Sequence, residues 1–162
     1  MSEQRHIVPL SPSLLPGALA TVERALHHTH YLDGALDALR SAVGAPGADG
    51  RAMASMAGEQ IEGVAVFGLF GGTSGAGRLH FVVVEPGVRR TGVGRALANA
   101  VIAQLASTGA RFVLAELPDD VDALPGAREL LRAAGFMEES RIDDFFRDGV
   151  ALAFMRREIE AL

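Results

Sequence analysis

VVVEPGVRRTGVGRAL, residues 82–97, decides how this chain is read. An apolar run ends at Glu85-Pro86, where proline has no N–H to donate and biases the residue before it toward extended geometry. Arg89 and Arg90 follow, then Gly92 and Gly94, and from Val93 onward apolar residues recur at helical spacing. A strand that enters a glycine-bearing turn and leaves as a helix aims several backbone N–H groups at one point. The helix dipole adds partial positive charge there. Glycine removes Cβ atoms that would hold an anion away from those groups, and the two arginines add charge beside them. The stretch reads as an anion site, with phosphate or pyrophosphate as the expected ligand.

Working outward, the apolar run extends back to give a strand, LHFVVVE, over 79–85. The helix runs from about Gly92 to Ser107 with Val93, Leu97, Val101 and Leu105 on one stripe, and Thr108-Gly109 stops it. FVLAEL (112–117) is the next strand. A helix in LPGARELLRAAGF is closed by Gly135. RIDDFFR and VALAFMRR flank Asp148-Gly149, a hairpin signal because both turn positions tolerate positive φ. Toward the N-terminus, RHIVPL (5–10) is a short strand that Pro9 places at an edge. Helical patterns follow from Ser13 to Leu26 and from Leu32 to Val43, then strands at 51–57 and 61–70, and a loop at 71–77. The order β-α-α-β-β-β-α-β-α-β-β, with no repeat or linker, predicts one α/β domain over residues 1–162 with a mixed, largely antiparallel sheet flanked by helices.

The whole chain sets bounds on function. Its 162 residues are 49% hydrophobic and 22% charged, an ordinary globular composition. The formal net charge of −5 gives no footprint for nucleic acid. There is no cysteine, which excludes disulfides, thiolate nucleophiles and cysteine-type zinc sites. MSEQRHIVPL has no apolar segment of the signal-peptide kind, and the apolar run near 61–72 is too short and glycine-rich to span a bilayer. The expectation is a cytoplasmic protein without membrane or nucleic-acid partners.

Three phosphate-binding patterns compete for residues 82–97. A P-loop needs a lysine after its second glycine, and the chain contains no lysine. A dinucleotide fingerprint needs a third glycine, where Gly92-Val93-Gly94-Arg95-Ala96-Leu97 has leucine. The third pattern is R-x-x-G-x-G after a strand ending in V-x-P. Arg89-Arg90-Thr91-Gly92-Val93-Gly94 behind Val84-Glu85-Pro86 resembles the acyl-CoA pyrophosphate loop of the GNAT superfamily of N-acetyltransferases. ARELLRAAGF (127–136) is similar to that family's fourth helix and its exit, and residues 141–157 are similar to its C-terminal hairpin.

The resemblance implies a GNAT-like sheet splayed at the acyl-CoA strand, with acetyl-CoA as acyl donor. It implies that backbone N–H groups across Arg90, Thr91, Gly92, Val93, Gly94 and Arg95 hold the pyrophosphate, with phosphate contact from Arg89 or Arg90. It implies that strand 79–85 carries a bulge and parts from strand 112–117, leaving a gap for the pantetheine arm. There the Val84 backbone pairs with the pantetheine amide, and the Val82 N–H points at the thioester carbonyl. Homodimers are common in the family, and its acceptors include antibiotics, polyamines, amino acids, peptides and protein N-termini.

His80 is the first candidate for general base. It lies on the same strand, shares a face with Val82 and Val84 by alternation, and sits four residues before Val84, where similar enzymes often place a Glu or His. Its ordinary pKa of about 6.5 suits proton transfer near neutral pH; the competing reading is a half-buried histidine held by a backbone carbonyl. Glu116 on the neighbouring strand is the alternative base, against a reading as a strand-end charge. Where the family often has a tyrosine acid before the Gly-Phe, this chain has Leu131. Tyr31, its only tyrosine, lies between the first two helices, as an acceptor-pocket wall or a substitute acid. The cluster His27, His28, His30 and Asp33 reads as solvated helix-end residues rather than a metal site. The expected activity is acetyl transfer to a primary amine, on a small molecule or a peptide, in a ternary complex. The rivals are a non-catalytic acyl-CoA-binding module and a nucleotide-dependent enzyme using the same turn.

Overall fold

The computed structural model describes residues 4–160. β1 (Arg5–Pro9) leads through a 3-10 turn at Pro12–Leu14 into α1 (Leu15–Ala25) and α2 (Leu32–Gly44). β2 (Arg51–Ala57), β3 (Gln60–Leu69) and β4 (Ala76–Val84) form a meander, and α3 (Val93–Ser107) follows the turn after β4. β5 (Phe112–Pro118), α4 (Ala127–Ala133), β6 (Met137–Arg147) and β7 (Val150–Glu158) complete the chain. The element order is the one the sequence predicts. The seven strands make one open sheet in the order β1-β2-β3-β4-β5-β7-β6. Every neighbouring pair is antiparallel except β4 with β5.

Each sheet face is covered by helices whose apolar stripe the sequence shows. α3 buries Val93, Leu97, Val101 and Leu105, together with Gly94 and Ala98. With Leu131 and Phe136 it packs on one face, against Phe67, Leu79, Val113 and Met155. α1 and α2 cover the other face through Ala18, Val22, Leu39 and Val43, packed on Ala54, Val64 and Val83. Gly135, at φ 90, closes α4, and Phe136 N–H returns to the Leu131 carbonyl at 2.9 Å.

Two details of the C-terminal hairpin differ from the sequence reading. β6 begins at Met137, not Arg141, and all of its residues are exposed. At the turn only Gly149 has positive φ (82°); Asp148 does not. The hairpin is irregular just before that turn. Ile142 pairs with Leu152 and Arg147 with Val150, so residues 143–146 form an excursion from β6. Asp144, at φ 53, accepts the Gly149 N–H at 2.7 Å, which fixes the excursion.

Candidate functional site

β4 and β5 pair over four residues only, Ala76–Leu79 against Phe112–Ala115. Beyond them the two strands part, and a cleft of about 430 Å³ opens between their C-terminal ends. The divergence starts at a bulge. Val66 of β3 lies opposite Phe81 and Phe67 opposite Leu79, which leaves His80 without a partner. The alternation expected to put His80 on the face of Val82 and Val84 is therefore interrupted, and His80 reaches the cleft as the bulged residue.

The register also fixes where the backbone of β4 points. Glu85 N–H donates to the Glu62 carbonyl at 2.8 Å. In an antiparallel pair successive residues alternate between facing the partner strand and facing away. Val83 thus faces β3, while the N–H and C=O groups of Val84 and Val82 turn toward the space β5 has left.

At the far end of β4 the turn presents a second set of free donors. Among the described residues, none of the N–H groups from Arg89 to Arg95 donates to a protein acceptor. Arg90 (φ 64) and Gly92 (φ 89) are left-handed, so successive N–H groups converge rather than alternate. Gly92 has open space around its Cβ position and is required for its conformation. Gly94 has a different reason from the one its spacing suggests. A Cβ there would overlap Leu130 and stand 3.2 Å from Val84 Cγ2, so this glycine lets α3 sit tightly on α4 and β4. The Val93 side chain is buried in the core, whereas Arg95 faces solvent. Arg89 donates to the Ala25 carbonyl at 3.3 Å, and the Thr91 hydroxyl to the Val88 carbonyl at 2.6 Å. The nearby acids are already paired: Glu85 with Arg24 and Glu62 with Arg5, each at 2.6 Å. Unpartnered N–H groups at the positive end of a 15-residue helix, with adjacent carboxylates neutralised, fit a diphosphate. The cleft that leads away is walled by Leu117, Leu130 and Leu131, which fits an apolar arm.

His80 is half-buried, and burial is the main cause that pushes its pKa below the usual histidine value. Arg78 acts in the same direction. The Asp49 backbone carbonyl and the carboxylates of Glu116 and Asp49 oppose it. Glu116 also lines the cleft, but it forms an ion pair with Arg78 at 3.3 Å and is not the solvent-facing charge considered as its bland alternative. Leu131 is buried on the α4 wall.

Tyr31 belongs to a network that sequence reasoning did not find. Its hydroxyl donates to Asp120 Oδ2 at 2.9 Å, and Arg147 donates to the same oxygen at 2.8 Å. The Ala123 N–H reaches Asp120 Oδ1 at 3.3 Å. Asp120 is only 5% exposed. Burial works to raise its pKa, but the hydrogen bonds from Tyr31, Ala123 and Arg147, with the charge of Arg147, outweigh it and hold the carboxyl below its ordinary value. Burial, then the bond to Asp120, raises the Tyr31 pKa. Phe146, on the β6 excursion, meets Tyr31 edge-to-face at 5.6 Å. The rings of His27 and His28 meet at 3.8 Å, tilted by 41°, beside an adjoining open hollow. Among the described residues no group of three His, Cys, Asp or Glu side chains is placed to hold a metal, and no helix is long and apolar enough to cross a membrane.

Residues 23–136 match the family model described as the acetyltransferase (GNAT) family. Compared with curated protein sequences, the chain matches none. Among solved structures it is similar to a protein of the GNAT acetyltransferase family from Desulfovibrio desulfuricans, with TM-score 0.86 and 23% identity over 97% of this chain and 100% of the other. It is similar to the aminoglycoside 6'-N-acetyltransferase of Enterococcus faecium, with TM-score 0.79 and 15% identity over 97% and 98% of the two chains. It is also similar to YncA of Salmonella typhimurium, solved with its cofactor acetyl-CoA, with TM-score 0.71 and 20% identity over 98% and 95%.

Proposed function

The chain belongs to the GNAT acetyltransferase family, and on that premise we propose that it transfers an acetyl group from acetyl-CoA directly to a primary amine. The observation that carries this reading is the order of groups along β4 and the turn after it. Free N–H groups from Arg89 to Arg95, the gap-facing backbones of Val84 and Val82, and the ring of His80 follow one another along the open side of β4.

Acetyl-CoA supplies the activated thioester. The N–H groups at the start of α3 bind its pyrophosphate, and Arg90 and Arg89 add charge there. The Val84 backbone pairs with the pantetheine amide and sets the depth of the arm. The Val82 N–H meets the negative charge that develops on the thioester oxygen as an amine attacks, a donor of the kind worth about 3 kcal/mol of barrier. His80 takes the proton from the attacking nitrogen, directly or through one water, and its depressed pKa keeps it neutral at neutral pH. The C–N bond forms as the C–S bond breaks. Neither Leu131 nor Tyr31, whose hydroxyl is committed to Asp120, protonates the leaving sulfur, so the thiolate departs and takes its proton from solvent. Glu116, locked to Arg78, is the lesser candidate for base.

Leu131 favours one second reading, a module on the same fold that binds acyl-CoA without turnover. Two measurements separate the readings. Melting with acetyl-CoA at about 100 times its Kd should be raised by the equivalent of about 2.7 kcal/mol. Thiol release with an amine panel should then fall by about 10²–10⁴-fold in His80→Ala while that thermal shift persists. A shift with no turnover of any amine selects the module. No shift, or a larger one with ATP or NAD, removes the acetyl-transfer reading. Pairing of two chains belongs to the same proposal and is read by light scattering.

A further inference from the structure

We propose that the acceptor is a single amine carried on an apolar, uncharged body, and that polycationic amines are poor acceptors. The inference rests on the acetyl-transfer reading and names the substrate class of that site. The cleft has two walls. One, formed by Leu79, Leu117 and α4, is the donor side. The other is formed by Leu26, His30, Tyr31, Ala35 and Phe81, with Phe146 beside Tyr31. Apart from His30 and the Tyr31 hydroxyl, the side chains of this second wall are apolar. The Tyr31 hydroxyl is turned to Asp120, and the ring meets Phe146 edge-to-face.

The charges around it are arranged against a second ammonium. Glu116 is the one carboxylate lining the cleft among the described residues, and Arg78 neutralises it at 3.3 Å. Arg78 is itself stacked on Phe70 at 5.2 Å from the ring centre, which holds it in place. The adjoining hollow, which shares His30 with the cleft, presents His27, His28, Arg89 and Arg147 against Asp120 and Asp122. Asp120 is bound to Arg147 and Tyr31, so Asp122 is the one acid of that hollow without a guanidinium partner among the described residues. A second ammonium held inside the cleft would find no free counter-charge there, in apolar surroundings where an unpaired charge is strongly disfavoured, and only Asp122 outside could meet it. A hydrocarbon body gains from the same wall with each methylene it buries.

The matched probes are n-alkylamines from propylamine to hexylamine, 1,6-diaminohexane, spermidine and kanamycin, assayed with acetyl-CoA on the full chain. The inference expects kcat/KM to rise about threefold to fourfold per added methylene while the chain remains in the cleft. It expects hexylamine to exceed 1,6-diaminohexane, with their statistical factor of two removed, by about tenfold or more. Arg78→Met, which leaves Glu116 unpaired, should narrow that ratio. A flat dependence on chain length, or a diamine, spermidine or kanamycin used as well as hexylamine, overturns it. Acetyl-CoA binding without turnover of any amine overturns it too and leaves the donor site standing. Absence of acetyl-CoA binding removes the underlying reading with it.

Discussion

Gly63→Ala tests the link between core packing and the donor site. Gly63 lies on β3 opposite Val84, beneath the first two turns of α3. A Cβ at that position would stand 2.7 Å from Leu97 Cδ1, 2.9 Å from Val93 Cγ1 and 3.2 Å from the Val83 carbonyl. The last is β4 backbone and cannot retreat cheaply, so the methyl presses instead on the Val93 and Leu97 side chains and, through them, on α3. Overpacking of this kind costs about 1–3 kcal/mol, against about 0.5–1 kcal/mol gained by replacing glycine inside a strand. At mid-range the net is about 1 kcal/mol of lost stability, or roughly 2–5 °C in Tm for a chain of this length. Val93 is the first residue of α3, so the displacement reaches the N–H groups proposed to hold the pyrophosphate. Loss of one charge-assisted hydrogen bond, about 1.5 kcal/mol or more, raises the acetyl-CoA Kd about tenfold. Differential scanning fluorimetry gives the first number and isothermal titration the second. Gly34→Ala, on α2 with nothing within 4 Å of its Cβ position, is the stability control and should not lower Tm. A Gly63→Ala protein that melts at or above the wild-type temperature would refute the packing argument. One that melts lower yet binds acetyl-CoA normally would refute the link between α3 and the donor.

Three further outcomes are expected. His80→Ala should lower kcat by about 10²–10⁴-fold; in the wild type, because the folded pKa lies below 6.5, the acid limb of kcat/KM should also fall below pH 6.5, and a limb at or above that value would show that another group titrates. The same depression means that the His80 contribution to stability is lost as pH falls below 6.5 toward the folded pKa, since the unfolded chain binds the proton more readily. Asp120→Ala leaves the Tyr31 hydroxyl and Arg147 without their shared acceptor and should cost about 1–3 kcal/mol in urea unfolding; Asp120→Asn should weaken the fall in stability below about pH 3.8, because the ionised carboxylate stabilises above its unfolded pKa and loses that effect as pH drops through the lower folded one, and an unchanged acid profile would contradict the network. Gly92→Ala meets no neighbour but forces φ 89 on a residue with a Cβ, at about 1–2 kcal/mol, so a Tm within 1 °C of wild type would show that the turn relaxes freely.

The element order was legible because each helix and most strands carry their own period. Val93, Leu97, Val101 and Leu105 announce α3 without help from the rest of the chain. β6 was read four residues short because Met137-Glu138-Glu139-Ser140 has no buried face, and an edge strand exposed along its length leaves no alternation in sequence. The bulge at His80 was hidden for the opposite reason: LHFVVV is apolar on both faces, so a one-residue slip changes no pattern. The resemblance named the bulge but not which residue it ejects. The turn from Arg89 to Arg95 was found by local spacing, yet Gly94 was credited with admitting an anion when its neighbour is Leu130, a contact that only tertiary structure creates. Asp120 escaped because its partners, Tyr31 and Arg147, lie 89 and 27 residues away.

The four-pair contact between β4 and β5 has a mechanical consequence. Among the described residues it is the one strand ladder between an antiparallel plate made of β1–β4 and another made of β5, β7 and β6. The core under α3 spans both plates, with Phe67 and Leu79 on one and Val113 and Met155 on the other. On the opposite face, the buried strand residues under α1 and α2 all come from β2–β4. Two plates joined along so short a line are tied on one face by that core and on the other by the narrower contacts of Tyr31 with Asp120 and Phe146, so the junction is a hinge that yields more readily on that second side. On the proposed mode of donor binding, a pantetheine arm bonded to Val84 in the gap would take the place of the missing rungs, and the bound donor would brace the hinge. The amides of Val82 and Val84 should then exchange with solvent more slowly in its presence, as a direct gauge of how stiff the sheet has become.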